Sequence, residues 1–323
     1  MSARLFLFIG LLLFLSTGCS PDTPSPERVS STDSAPLKHV TETNTSIPTV
    51  DVPENRFTST PNESSVVLTK DVEEALESTL SSTESLTITI VYDNNPYDGR
   101  LKAAWGFAAL VSYNDHILLF DTGGDGPTLI ENMLTLQIDP IQIESVVLSH
   151  AHGDHTGGLS ALLEHGTRPT VYLPPSLSAT FKNQVSKTTE VIEVTPGLSI
   201  TEGVFTTGEM GRSTPEQALV IQTDQGLVII TGCAHPGIVE IVEQARTLMG
   251  GQVRLVLGGF HLRSKSETEI DGILRAFGLL GVEQVAPCHC TGDRAIAMFA
   301  AEYGENFVQA GVGKVIILTG GEN

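Results

Sequence analysis

"SVVLSHAHGDHTGG", residues 145–158, decides the fold. Its aliphatic start reads as a short buried strand. His150 and His152 follow two positions apart, so at the end of an extended strand they project to the same side. Gly153 is expected to turn the chain and bring Asp154 and His155 back toward the same point, while Gly157 and Gly158 leave room for close passage into a helix. Three of the nine histidines of the chain fall in this stretch. Imidazole and carboxylate donors gathered so densely suit zinc, iron or manganese, whereas clustering them without a cation brings titratable groups together for no gain. A polar loop whose side chains merely bond one another is the competing reading.

Composition bounds what surrounds this motif. A chain of 323 residues, 40% hydrophobic, is long enough for a large buried core. Its 18 basic against 38 acidic residues give a formal charge of -20, a field that repels phosphate backbones and argues against nucleic acid as a partner.

The amino-terminal stretch reads as an export signal over residues 1–18. Arg4 precedes the apolar run "LFLFIGLLLFL" (5–15), too short to span a bilayer as a mature helix, and small residues then lead to "STGC". This ending resembles the lipobox of bacterial lipoproteins, which implies that Cys19 carries lipid and anchors the chain to a membrane of the cell envelope. An ordinary secretory signal cut nearby is the alternative. Residues 19–84 are expected to form a tether, rich in Ser, Thr and Pro over its first part, with a short amphipathic helix within 66–80. The folded domain is placed at 85–323.

Past residue 85 short aliphatic runs, "LTITIVY", "HILLFDTG", "SVVLSH", "LVIITG" and "VRLVLGG", alternate with helical patterns at 127–136, 157–164, 237–248, 267–279 and 293–303. Such alternation predicts an α/β domain, with ligands gathered at strand ends. The polar residues at those ends are His150, His152, Asp154, His155, Asp121, Cys233, His235, His261 and His289.

H-x-H-x-D-H after a hydrophobic strand resembles the signature of the metallo-β-lactamase superfamily. "ILLFDTGGDG", "GLVIITGCAHPGI", "LVLGGFHL" and "VAPCHCTG" extend the likeness over about residues 86–320. "WGFAALV", "TGCAHPGI", "GGFHL" and "CHCTG" look most like the branch that includes the archaeal dihydropterin ribofuranosylaminobenzene phosphate synthases. The resemblance implies an αββα sandwich, two packed mixed sheets flanked by helices. It also implies two divalent transition-metal ions, zinc foremost with iron or manganese as alternatives. His150, His152 and His235 are expected on one ion, and Asp154 and His155 on the other. His261 is expected to complete the second ion, with His289 near the substrate as a proton donor; the converse assignment stays open. Ions about 3.5–4 Å apart can share a water and present it as hydroxide to a small-molecule ester, lactone or phosphoester. A synthase-like transferase and a non-catalytic metal-bound receptor are the other readings.

Asp121 is expected to hold a ligand imidazole from behind. Cys233 stands where the superfamily usually has a bridging aspartate, either as a metal ligand or as a small buried residue. Glu209 is a candidate substrate or metal contact. Cys288 and Cys290, read as strand residues, point to one side, and no disulfide framework is expected from the four cysteines. Asn94 and Trp105 are candidate substrate contacts, with Trp105 as core packing beside Phe107 the alternative. Arg212, Arg263 and Arg294 are the basic residues nearest the motifs.

Overall fold

The computed structural model describes residues 85–320, so the expected export signal, Cys19, the tether and the helix within 66–80 lie outside the described residues. The chain lays down β1 (Ser85–Asp93), β2 (Phe107–Tyr113), β3 (His116–Phe120), β4 (Ser145–Val147), β5 (Thr170–Leu173) and β6 (Val191–Glu193). It continues through β7 (Ser199–Thr201), β8 (Val204–Thr206), β9 (Leu219–Thr223), β10 (Gly226–Thr231), β11 (Val253–Gly259) and β12 (Val282–Cys288), and ends in β13 (Val315–Thr319). Two sheets result, ordered β13-β1-β2-β3-β4-β5-β6 and β12-β11-β10-β9-β8-β7. Both are mixed. In the first, β1 to β3 pair antiparallel and β3 to β6 parallel; in the second, β10 to β12 run parallel and β8 to β10 antiparallel.

The strands alternate as two-sided sheets must. Phe107, Ala109 and Val111 of β2 meet Val228 and Ile230 of β10 and Leu255 and Leu257 of β11 in the layer between the sheets. Their neighbours Ala108 and Leu110 face outward onto α1 (Gly126–Thr135) and α3 (Leu159–Glu164), which cover the first sheet with Leu129, Met133, Leu159 and Leu162. On the second sheet Leu227 and Ile229 face α5 (Ile238–Met249), α6 (Glu267–Leu279) and α7 (Asp293–Tyr303). Helix, sheet, sheet and helix thus form the expected αββα sandwich. Among the described residues no helix is long and apolar enough to cross a membrane.

β4 stops at Val147, and the chain turns at Gly153 through a single helical turn, α2 (Gly153–Thr156), with His152 at its N-cap position. The helix expected over 157–164 is α3, starting two residues later and standing just after this turn. A further helix, α4 (Ala179–Val185), is capped by Ser178, whose side chain accepts from the Phe181 amide; its single buried position gave no periodic signal.

Candidate metal centre

The site forms where β3 and β4 of the first sheet and β10, β11 and β12 of the second come to an end. His150 is wholly buried, with ring centroids 4.7 Å from His152, 4.2 Å from His155 and 4.6 Å from His235. His235 also lies 4.6 Å from the ring of His261, and His155 lies 5.0 Å from that of His289. Six imidazoles therefore form one continuous cluster. The loop that carries the first three packs against residues 122–124. A Cβ at Gly158 would stand 2.1 Å from the Thr122 carbonyl oxygen, so only glycine allows that approach.

Donor atoms fall into groups. His150, His152 and His235 form one, and Asp154, His155 and His289 another, each with its ligand atoms within 4.8 Å of one another. The expectation that His261 completes the Asp154–His155 set is corrected. His289 does so, with Nε2 3.5 Å from Asp154 Oδ2, while His261 groups with Cys233 and His235. Cys233 belongs to three of the groups, including one with His150 and His155, and its Sγ is 3.3 Å from His155 Nε2. The thiol is buried, yet it faces the cluster rather than the apolar core.

Carboxylates and an amide hold the rings from outside. Asp121, fully buried, accepts the Ser149 amide and hydroxyl and His155 Nδ1, each at 2.7 Å. His155 Nε2 is thereby turned toward the cluster. Burial works against the charged imidazole, but Asp121, followed by Asp154 and Glu216, outweighs it and raises His155 to about 8. His150 has the opposite fate: burial, then the charge of His155, lowers it to about 2.

Glu216, which sequence reasoning missed, holds His235. Its Oε1 accepts the amides of Cys233 and Ala234, at 2.8 and 2.9 Å, and its Oε2 accepts both the amide and Nδ1 of His235, at 2.9 Å. Burial opposes its charge, yet His235, His150 and these amides lower it to about 2. The signal available was a charged residue two positions ahead of the buried run "ALVI". Glu209, the candidate chosen instead, accepts the Ser176 amide at 2.9 Å and joins no donor group.

Asn94 lies against His289, and its amide is engaged at both ends: His289 Nδ1 donates to Asn94 Oδ1 at 2.8 Å, and Asn94 Nδ2 donates to the His289 carbonyl at 3.2 Å. It thereby orients that ring. Trp105 is 48% exposed, 5.0 Å from the His289 ring, which disposes of the core-packing alternative. Cys288 and Cys290 do not share a side. His289 adopts a left-handed φ of 49°, so Cys288 stays buried beside Asp93 while Cys290 turns to Cys233 and His261. Cys233, Cys288 and Cys290 are free thiols.

The residues fit a metal. His289 Nε2 is buried with no hydrogen-bond partner, a cost of about 1–3 kcal/mol for a polar atom unless a ligand takes it. Its Nδ1 is already committed to Asn94, so Nε2 is the nitrogen turned toward Asp154, 3.5 Å from its Oδ2. Imidazole, thiol and carboxylate together are the donor set of transition metals rather than of magnesium or calcium.

This fold, with donors gathered at the strand ends between two sheets, defines the class of metal-dependent αββα enzymes. The chain belongs to the metallo-beta-lactamase superfamily, whose family model matches residues 106–245. It is 31% identical to the 7,8-dihydropterin-6-methyl-4-(beta-D-ribofuranosyl)-aminobenzene-5'-phosphate synthase of Methanocaldococcus jannaschii, over 71% of this chain and 95% of that one. Among solved structures it resembles Tm1679, described as a metal-dependent hydrolase of the beta-lactamase superfamily, with a TM-score of 0.61 and 29% identity over 72% of this chain and 99% of that one. A diphosphatase of the PhnP family shares the fold at a TM-score of 0.52 and 15% identity, covering 73% of this chain and 98% of that one.

Proposed function

We propose that this protein is a metal-dependent hydrolase of a small-molecule ester, lactone or phosphoester. The observation that carries the reading is the Nε2 of His289, without a hydrogen-bond partner and 3.5 Å from Asp154, within a cluster where Ser149 holds His150, Asp121 holds His155 and Glu216 holds His235. His150, His152 and His235 are the proposed holders of one ion and Asp154, His155 and His289 of the other, zinc being the first choice and iron or manganese the alternatives. Bound there, divalent cations supply Lewis-acid polarisation and water of lowered pKa. The chain's own part is orientation. Asp121 holds Nδ1 of His155, Glu216 that of His235 and Asn94 that of His289, so in each ring the second nitrogen is turned toward the cluster, where a cation would take it as a ligand. In this reading His289 serves as a metal ligand through Nε2, in place of the proton-donor role expected from the sequence.

A second reading, group transfer, is favoured by the alignment with the M. jannaschii synthase over 95% of its length. Metal analysis of the purified protein, then turnover on a panel of esters, lactones, phosphomonoesters and phosphodiesters, decides between them. About two equivalents of metal with hydrolysis of a panel member are expected. Two equivalents with turnover only when an acceptor nucleophile other than water is added replaces hydrolysis by transfer, and a metal-free protein purified without chelator overturns both.

We further propose export and anchorage through lipid on Cys19, supported by the apolar run 5–15 ahead of "STGC". Cys19→Ser is expected to move the protein from the membrane to the soluble fraction. A variant that stays with membranes, beside a wild type that takes up no labelled fatty acid, refutes the anchor.

A further inference from the structure

Arg263 stands at the mouth of the cluster. Its guanidinium carbon is 5.5 Å from the centre of the Trp105 ring, which itself leans on His289. The stem is gripped from the other side: Gly292 has φ +84°, and a Cβ there would lie 2.8 Å from Arg263 Cα, so glycine lets the turn after His289 close directly on Arg263. Arg100, Lys102, Lys182, Arg254 and Lys265 each pair with a carboxylate, but among the described residues none pairs with Arg263. A cavity of about 220 Å³, lined by Trp105, His261, Arg263, Ser264 and Cys290, separates the guanidinium from the donor cluster.

The features complement one another chemically. An aromatic face holds a guanidinium in place without neutralising it. Its planar fork remains free for a carboxylate or a phosphate. The half-exposed indole offers a flat apolar surface beside it.

We propose that Arg263, positioned by Trp105, anchors an anionic group of the substrate away from the reacting bond, so that the substrate class is a small carboxylate or phosphate whose flat apolar body lies against Trp105. The inference rests on the reading of the donor cluster as the reaction centre, but its test needs no turnover. Trp105 is the only tryptophan of the chain, so its emission in the intact, metal-loaded protein reports occupancy of this cavity. Phenyl phosphate, phenylacetate, methyl phosphate and the neutral 2-phenylethanol are the probes. At least one ring-bearing anion should change the emission saturably, and which one does separates phosphate from carboxylate; 2-phenylethanol should not. Arg263→Ala, at unchanged metal content and circular dichroism, should weaken that anion about tenfold or more, with Arg263→Lys in between. Trp105→Leu, followed by calorimetry, should weaken ring-bearing anions more than methyl phosphate. If Arg263→Ala binds as tightly as wild type, the anion sits on the metal centre and the proposal falls. It falls equally if 2-phenylethanol matches the anions or if no anion saturates. Absence of hydrolysis alongside Arg263-dependent binding would count against the hydrolase reading alone.

Discussion

Asp121 and Glu216 show why buried carboxylates are tolerated here. An ionised carboxylate without partners is among the costliest groups to bury, yet each of these is saturated by amides, a hydroxyl or imidazoles. What they return is direction, since each fixes which nitrogen of a histidine faces the cluster. Asp121 was legible in the sequence because it ends an aliphatic strand. Glu216 was not, because its role depends on a peptide turn 17–19 residues further on. The rank order of the last two histidines turns on the same logic. His289 has its Nδ1 tied down and its Nε2 bare, whereas His261 is exposed beside His235. His289→Ala should therefore lose about one equivalent of metal and His261→Ala should keep both. Cys233 lies within reach of both groups, so the cobalt-substituted protein should show a sulfur-to-metal charge-transfer band that disappears in Cys233→Ser. Atomic absorption on the histidine variants and the ultraviolet spectrum of the cobalt form check the set. Two equivalents in His289→Ala and one in His261→Ala would reverse the assignment.

Strand ends, rather than strands, build the site. Asp121, Ala234, His261 and His289 all have left-handed φ values between 49° and 59°, and each lies one to three positions beyond β3, β10, β11 or β12. Non-glycine residues adopt that conformation at a cost and concentrate at functional sites. Here the kink swings the chain off the sheet direction and aims the side chain, or its neighbour, across the gap between the sheets. The strands themselves were legible from aliphatic runs, and α6 and α7 from their periodicity. The kinks were not, and this is why Cys288 and Cys290 were read as facing one way. Order along the chain also misled: β11 follows β10 sooner than β12 does, but what matters is which strand end lies opposite α2 across the sandwich. Helix α6 carries a device that can be tested alone. Ser266 accepts the Glu269 amide while the Glu269 carboxylate accepts the Ser266 amide, a reciprocal cap. Ser266→Ala should cost about 1 kcal/mol in chemical denaturation. Hydrogen bonds from Ser266, then Lys265, lower the exposed Glu269 carboxyl from 4.5 to about 2. Because its folded-state pKa lies below the unfolded one, its contribution is complete above about pH 4.5 and is lost as the pH falls toward 2. The wild-type and Glu269→Gln curves should accordingly converge over that window, and parallel curves would show that the cap has no electrostatic part.

At the scale of the whole domain the two donor groups have the same architecture. Each takes residues from the segment after β4, in the first sheet, and one histidine from the second: His235 after β10 in one group, His289 after β12 in the other. An ion bound in either group would thus cross-link the two layers of the sandwich. Binding to the folded state alone stabilises it by about 2.7 kcal/mol per ion when free metal is a hundredfold above the dissociation constant. For a domain of this size that raises the melting temperature by roughly 5–10 °C. Because the link joins both sheets, removal of metal should lower the global transition, seen together in near- and far-ultraviolet circular dichroism, and not merely loosen a loop. The competing picture has the ions order only residues 149–158. It requires chelation to speed hydrogen exchange in that segment while the melting curve stays where it was. Melting and exchange measured on the same chelated, verified metal-free sample separate the two, and an unmoved transition would mean that the sheets hold each other through their apolar layer alone.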